Sequence, residues 1–325
     1  MRRRSKRKRS IHYDYGQMIA QLKPGFMLSL TCIGLFLLAF LLYEIWVGWR
    51  YSIWDGNRFF STVYESNDQI GYISFNPEID EIIILSMPED LMMPLGYGYG
   101  EYRVDKIKPL AQLDDVAFGD LLQQSMLQYL GVHSDAYVVG VDSDNVDINV
   151  YLLKSLFKMT DTNLSSWDLI RLLNMARNLR VENIKQIQLE DTDILIGQVL
   201  PDDTTVLTTD FGKLDNFVLT QFADPDYLSD TNTWEIYNAT NNAGFGAWMK
   251  RVVANSGFDV VGVRQANELG LTSAIELREE SLTQSVRDFS EDSGIPIVFH
   301  TDNSRRSSVQ VILGDDYWNQ CCTRK

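Results

Sequence analysis

Cysteine and histidine are scarce in this chain of 325 residues, which has three of each. Cys32 lies in an apolar run, and Cys321 and Cys322 are adjacent near the C-terminus, so no framework of disulfides can be built. Two neighbouring cysteines can pair only in a strained ring, and residues 319–325 are predicted to be a frayed tail. The histidines have no cysteine or histidine neighbour at ligand spacing, which argues against a zinc site.

Basic residues are few once the first 25 positions are set aside. That stretch holds eight of the 29 lysines and arginines and one of the 44 acidic residues, which leaves 21 basic and 43 acidic residues in the other 300. The remainder carries a formal charge of −22, which repels phosphate backbones, and we predict no binding to nucleic acid. At 45% hydrophobic residues the composition excludes a disordered polyacid, and the length suits about two domains.

Long uncharged apolar runs are absent from the sequence, with one exception near the N-terminus. The 19 residues Gly25–Tyr43 carry no charge. At ~1.5 Å per residue they form roughly 28 Å of helix, which is enough to cross the core of a bilayer. We predict a single transmembrane helix over residues 25–47, and an interfacial aromatic belt follows, formed by Trp46, Trp49, Tyr51 and Trp54.

The charge around this run predicts its orientation. Seven basic residues among the first nine indicate that the arm of residues 1–24 is cytoplasmic and that the bulk of the chain is extracytoplasmic. A cleaved signal peptide is the competing interpretation, but the bulky residues at the end of the run leave no small-x-small cleavage site. An uncleaved signal anchor in the cell membrane is therefore favoured. The arm also has the composition of a nuclear-localisation or DNA-binding tail, yet the topology already accounts for its charge.

The region of residues 55–211 is predicted to be a mixed α/β domain. The β-rich runs Ile70–Phe75 and Ile82–Met87 indicate a hairpin, and residues 88–109 are loop-like. A helix is predicted from Asp115 until Gly131 ends it, and Ser165 with Asp168 forms the capping box of a later helix.

The last third of the chain is predicted to be a separate small domain. Residues 212–232 are rich in Asp, Asn and Thr with weak periodicity, which is typical of a linker. Residues 233–318 then alternate in the order βαββαβ, and we expect two helices on one face of an antiparallel sheet. The fold class is therefore α/β (α+β), with the transmembrane helix preceding two domains.

Several segments resemble bacterial envelope proteins of the LytR, CpsA and Psr family. Near the C-terminus, WEIYNATNN (Trp234–Asn242), SGFDVVGV (Ser256–Val263) and VQVILGDDY (Val309–Tyr317) are similar to the domain that often follows the catalytic domain of these proteins. Three earlier segments resemble the catalytic domain itself and occur in its order: Asp68–Leu91, Leu121–Asp142 and Thr162–Leu169.

The resemblance implies a chemistry. Active members are thought to hold a polyprenyl-pyrophosphate-linked glycopolymer with Mg²⁺ and arginines and to transfer it onto the cell wall. The resemblance implies that Asp68 and Asp90 are metal ligands and that Asp90 and Arg103 are catalytic residues. It also implies that Arg103 and Lys106 form the pyrophosphate clamp. Such a clamp is needed because a pyrophosphate in transfer carries dense negative charge.

The sequence departs from the family pattern at two arginine positions. Glu89 stands where an arginine usually precedes the second carboxylate, and Ser66 stands two residues before Asp68. We therefore expect a degenerate site in a membrane-anchored protein of the transferase type. A non-catalytic protein that binds envelope polymer or lipid, or acts as a scaffold, is the alternative, and an envelope-related transcriptional attenuator that acts indirectly is a third. A working site would bring Asp68, Asp90 and Arg103 together beside a deep apolar pocket for the lipid.

Overall fold

The computed structural model describes residues 24–67, 69–141, 147–157, 159–201, 203–301 and 307–323. The chain forms two compact units, Met1–Tyr51 and Ser52–Lys325. In the first unit a helix of 27 residues, α1 (Pro24–Arg50), contains the uncharged run. Within the described residues, no helix meets the length and apolarity that a membrane span requires. The span over residues 25–47 stays a prediction, and residues 1–23 of the basic arm lie outside the described part.

The first half of the second unit is built around a six-stranded mixed sheet. Its elements are β1 (Phe60–Ser66), β2 (Gln69–Asn76), β3 (Glu81–Ser86), β4 (Met92–Leu95), β5 (Gly100–Arg103), α2 (Ile107–Leu113), α3 (Phe118–Leu130), β6 (Ala136–Val141), α4 (Ile148–Leu156), β7 (Asp161–Thr162), α5 (Ser166–Asn178), β8 (Ile184–Gln188), β9 (Leu195–Val199) and β10 (Thr205–Thr209). The order in the sheet is β7-β6-β1-β2-β3-β8, while β4 with β5 and β9 with β10 form separate pairs.

The sheet is buried on both faces, which explains the apolar runs of its central strands. Along β1, Val63 packs into the core beneath α2 and α3, whereas Tyr64 packs into the core beneath α4 and α5. The predicted hairpin is confirmed, since β2 and β3 pair antiparallel with Ile73 opposite Ile84. The capping box is confirmed too: the Ser165 hydroxyl accepts a hydrogen bond from the Asp168 N–H at 3.1 Å.

Residues 212–232 are not the loop-like linker that was predicted. They form most of α6 (Phe211–Gln221) and all of α7 (Pro225–Ser229). Leu214, Val218 and Phe222 recur every four residues and are buried in the same core as α3, so this segment is part of the packed fold. The composition suggested a loop because aspartates cap both helices, and capping residues are also typical of turns.

The C-terminal region contains more elements than the predicted βαββαβ unit. It comprises β11 (Thr233–Asn238), α8 (Phe245–Ser256), β12 (Asp259–Gln265), β13 (Ala274–Leu277), α9 (Gln284–Ser293), β14 (Ile297–Phe299), β15 (Val309–Leu313) and α10 (Asp315–Cys321). The order is β12-β11-β15-β13-β14, and only β13 and β15 pair antiparallel. The expected antiparallel sheet is thus wrong, because the helices act as crossovers between parallel strands.

Within the described part of the tail, residues 319–321 are the end of a helix and are not frayed. Helix α10 ends at Cys321, which is buried, and a disulfide joins it to Cys322. The Tyr97 N–H donates to the Cys321 carbonyl at 3.1 Å, so the tail is tied to the turn between β4 and β5. In that turn Gly98 has a φ of +68°, and a Cβ there would lie 2.6 Å from the Cys322 carbonyl oxygen. Only glycine allows this close approach.

Candidate functional site

A polar cleft of ≈ 620 Å³ opens where the chain leaves β3 and turns towards β4. Asp90 and Arg103, two of the predicted site residues, both line it. The β4–β5 pair holds them in place, since the Val104 N–H donates to the Leu91 carbonyl at 2.9 Å and the Asp105 N–H to the Glu89 carbonyl at 3.1 Å. The structure therefore brings Asp90 and Arg103 to one surface, as predicted.

In the predicted pyrophosphate clamp, in contrast, Arg103 and Lys106 already pair with a carboxylate of the protein itself. Arg103 Nη2 donates to Asp105 Oδ2 at 3.2 Å, and Arg103 Nε lies 3.1 Å from Oδ1 of the same carboxylate. Lys106 Nζ lies 2.8 Å from Asp105 Oδ2. Lys106 does not line the cleft. A pyrophosphate would have to compete with Asp105 for both cations.

The cleft itself is rich in carboxylates. Glu89 and Glu190 are exposed and line it together with Asp90, facing the single guanidinium of Arg103. At ~4 Å, a carboxylate repels a phosphate charge by roughly 1 kcal/mol in water and about 4 kcal/mol at an effective dielectric of ~20. The arrangement disfavours a bare pyrophosphate. The remaining polar lining consists of hydroxyl and amide side chains: Ser66, Asn67, Gln69 and Gln188.

The predicted Mg²⁺ site lies only partly within the described residues, and it stays a prediction. Carboxylate oxygens are the ligands that Mg²⁺ prefers. However, no group of three or more His, Cys, Asp or Glu side chains within the described part of the chain is placed to hold a metal. Asp68, the other predicted ligand, lies outside the described residues. Asp90 alone remains of the predicted pair.

The cleft that Asp90 lines is polar and is not a deep apolar pocket. The apolar side chains lining the cleft are Met87 and Pro88, at its margin. The face of the sheet behind it is filled by packed side chains such as Tyr72, Leu85 and Met126. The expected lipid pocket is therefore not found at this place.

A buried ion pair next to the cleft was missed by the sequence analysis. Glu65 on β1 is 1% exposed, and its Oε1 lies 2.6 Å from Lys108 Nζ. Its Oε2 accepts a 2.6 Å hydrogen bond from the Gly140 N–H. The pair lines a smaller cavity of ≈ 250 Å³ that shares Glu89 with the cleft. A glutamate directly after Val63 and Tyr64 in β1 was the available signal, because a buried charge requires a partner.

A second cavity, hereafter the joint cavity, lies between the first half of the unit and the C-terminal region. Its volume is ≈ 50 Å³, enough for a few water molecules. None of the predicted site residues lines it. Its titratable and charged side chains come from both sides of the contact: Arg58, Tyr72, His133, Asp135, Asp224, Asp226, Tyr227, Asp288 and Asp292.

Sequence comparison places the C-terminal region in a known class of envelope domain. Residues 233–317 match the family described as "LytR cell envelope-related transcriptional attenuator". The resemblance of this region is thereby confirmed: the chain is a mixed α/β protein that carries a LytR-type C-terminal domain. No curated protein sequence matches the chain.

Solved structures similar to the chain include a LytR-CPS2A-psr family protein. TagT of Bacillus subtilis is 16% identical with a TM-score of 0.38, over 51% of this chain and 90% of that one. The family protein YwtF (TagT) with bound octaprenyl pyrophosphate lipid is 16% identical with a TM-score of 0.37, over 51% and 91%. Bacillus subtilis TagV is 11% identical with a TM-score of 0.36, over 49% and 94%. The function proposed below does not rest on these low scores.

Proposed function

We propose that the chain is a membrane-anchored protein of the bacterial cell envelope whose cleft binds the sugar part of an envelope polymer without transferring it. The observation that carries this proposal is the charge arrangement around Asp90. Arg103 and Lys106 share the carboxylate of Asp105, while Glu89 and Glu190 face the cleft. A site built in this way repels the phosphate that a transferase would hold.

The same lining suits sugar hydroxyls. A hydroxyl both donates and accepts, and the cleft offers carboxylates as acceptors and amide groups as both donors and acceptors. Its volume falls within the roughly 300–1,000 Å³ that is usual for small-ligand sites. The LytR-type domain at residues 233–317 supports a place in the envelope.

A phosphotransferase is the second candidate, and the shared position of Asp90 and Arg103 favours it. It would act on a polyprenyl-pyrophosphate-linked glycopolymer and would require Mg²⁺ on Asp68 and Asp90. It would also require Asp105 to release Arg103. An envelope-related attenuator is the third candidate. Its effect on transcription would be indirect, because a folded part with strong negative charge does not bind DNA directly.

The membrane anchor is supported by the sequence. The uncharged run Gly25–Tyr43 is followed by tryptophans and preceded by the basic arm, so the cell membrane and an extracytoplasmic bulk are the proposed location. Alkaline carbonate washing of membranes should leave the chain in the pellet. External protease should digest residues beyond about 52 in spheroplasts, and complete protection of those residues would reject the orientation.

The sugar-binding proposal is tested on the full chain in detergent micelles. We expect it to co-sediment with purified cell-wall sacculi and expect Glu190→Lys to weaken this binding. Glu182→Lys, a change at an exposed residue outside the cleft lining, is the matched control. In parallel, a polyprenyl-pyrophosphate-linked oligosaccharide is incubated with the protein, sacculi and Mg²⁺. Release of polyprenyl phosphate that Asp90→Ala abolishes would refute the non-catalytic function and establish the transferase.

A further inference from the structure

The contact between the first half of the unit and the C-terminal domain has two ends of different chemistry. At one end, Arg251 of α8 closes the C-terminus of α3. Its Nη1 donates to the Gln128 carbonyl at 2.9 Å, its Nη2 to the Tyr129 carbonyl at 2.5 Å, and its Nε to Asp215 Oδ1 at 2.6 Å. Every guanidinium contact here is an acceptor, and arginine keeps its charge over the whole accessible pH range. We call this end the Arg251 clamp.

The other end is the joint cavity, where the charges do not balance. Arg58 Nη2 lies 4.0 Å from Asp135 Oδ1, and its Nη1 lies 3.8 Å from Asp288 Oδ1. Asp224 and Asp292 line the same cavity. One guanidinium therefore faces four carboxyl groups, two of them on α9 of the C-terminal domain. Both of its contacts with them are longer than a hydrogen bond.

The other groups that face the cavity do not supply a second cation. Tyr72 donates its hydroxyl to the His133 carbonyl at 2.9 Å, and Tyr227 donates to Asp292 Oδ2 at 3.2 Å. The His133 ring packs edge-on against Phe289 of α9, and its buried Nε2 has no hydrogen-bond partner. Burial lowers the pKa of His133 to about 4, so the ring is neutral. Asp226 adds a further carboxyl group at the rim.

Crowding and burial oppose ionisation of the cluster. Burial raises the pKa of Asp135 although Ser61 donates to it from both its N–H, at 2.7 Å, and its hydroxyl, at 3.1 Å. Burial and the neighbouring carboxylates raise the pKa of Asp224 to about 7. They also raise the pKa of Asp292, although part of this residue is exposed. The closed cavity thus holds protons that the separated groups would release.

We propose that this contact is a proton-linked joint: α9 closes on residues 131–135 when the carboxyl cluster holds protons, and it swings away about the Arg251 clamp when the cluster ionises. The inference rests on the joint cavity and is independent of the function proposed for the cleft. The proton is the only ligand it requires.

The sign of the effect follows from the raised pKa values. A carboxyl group whose pKa is higher in the closed form than in the open form favours closure wherever it is protonated in the closed form. The contribution of the carboxyl groups to closure is complete below the ordinary pKa of aspartate, ~3.9, and is lost as the pH rises to the raised values. The value near 7 for Asp224 places this loss in the mildly acidic to neutral range.

Hydrogen exchange of the full chain in detergent micelles tests the joint. Rates are measured from about pH 5.5 to about pH 9 and corrected for the intrinsic exchange rate of each amide. From about pH 5.5 up to the raised pKa values, near 7 for Asp224, amides of α9 should lose protection by about tenfold per pH unit for each proton released on opening, and the loss should level off above them. Amides of α8 around Arg251 should keep their protection. Equal corrected protection of α9 at both ends of the range would overturn the proposal, as would equal loss in α8.

Variants at the cluster separate a proton-linked contact from ordinary fraying. Asp292→Asn cannot ionise, and the pH dependence of α9 exchange should lose the contribution of this one proton, up to about tenfold per pH unit. Glu291→Gln is the matched control on the same helix, since Glu291 is exposed and does not line the cavity. Wild-type pH dependence in Asp292→Asn would contradict the proposal. Should Asp292→Asn fail to fold, Asp288→Asn takes its place, and the wild-type profile remains decisive by itself.

Discussion

The cleft beside Asp90 and the joint cavity are both rich in carboxyl groups, but they differ in their access to water. The cleft is large at ≈ 620 Å³, and Glu89 and Glu190 on its walls are exposed. The joint cavity has ≈ 50 Å³ and holds Asp135, whose pKa burial raises. The difference lies in crowding and burial. Exposed carboxylates in the cleft can accept hydrogen bonds from a ligand, whereas the carboxyl groups crowded around Arg58 have raised pKa values.

The largest effect is expected at the anchored end of the joint. Arg251→Met removes three hydrogen bonds and leaves two helix carbonyls without this donor, while Asp215 keeps only the bond from Asn255. We expect the free energy of unfolding in urea to fall by about 3 kcal/mol. The adjacent exposed residue gives the control, since Lys250→Met should change it by less than ~0.5 kcal/mol. Equal losses would show that the clamp does not hold the two halves together.

Inside the joint cavity we expect a smaller effect on the free energy of unfolding. Its pH dependence is opposite in sign to that of the carboxyl cluster. The pKa of His133 is lowered by burial, so its neutral ring contributes stability that is complete above its ordinary pKa of ~6.5 and is lost as the pH falls towards about 4. The free energy of unfolding is measured against pH for the wild type and for His133→Gln. The difference between the two curves should fall by about 2 kcal/mol over this range. His300→Gln, at a position away from the cavity, controls for a general effect of losing a histidine. A flat difference profile would mean that water reaches the ring.

The next largest loss of unfolding free energy is expected at the ion pair of Glu65 and Lys108 beside the cleft. Glu65→Gln keeps an acceptor for the Gly140 N–H but leaves Lys108 without its carboxylate. The expected loss is about 1.5 kcal/mol of unfolding free energy, because only the Glu65 end is fully buried. Glu81→Gln breaks the more exposed pair with Lys185 on the same sheet and should cost below ~1 kcal/mol. If both variants lose the same amount, burial does not set the strength of these pairs.

Local signals predicted the parts of the fold that local physics determines. The hairpin of β2 and β3 follows from two β-branched runs around a turn, and the α5 capping box from Ser165 and Asp168. Residues 212–232 were mistaken for a linker because aspartates are common both in loops and at helix starts. The three-residue strand β14 is too short to show a period.

The candidate site was predicted in part, and the joint was not predicted at all. Asp90 and Arg103 meet because each lies beside a strand pair that pattern reasoning could recognise. The pairing of Arg103 with Asp105 depends on side-chain geometry, which the local sequence does not predict. The residues that line the joint cavity are spread along the chain, from Arg58 to Asp292. Contacts over such separations leave no periodic signal in the sequence.

The most direct test of the central claim, that the cleft is not a pyrophosphate clamp, is the affinity of the full chain for inorganic pyrophosphate by calorimetry. We predict millimolar or weaker binding by the wild type, about tenfold tighter binding by Glu89→Arg, and no gain from Glu101→Arg, an exposed position outside the cleft lining. Micromolar binding by the wild type, with nothing added by Glu89→Arg, would contradict the account.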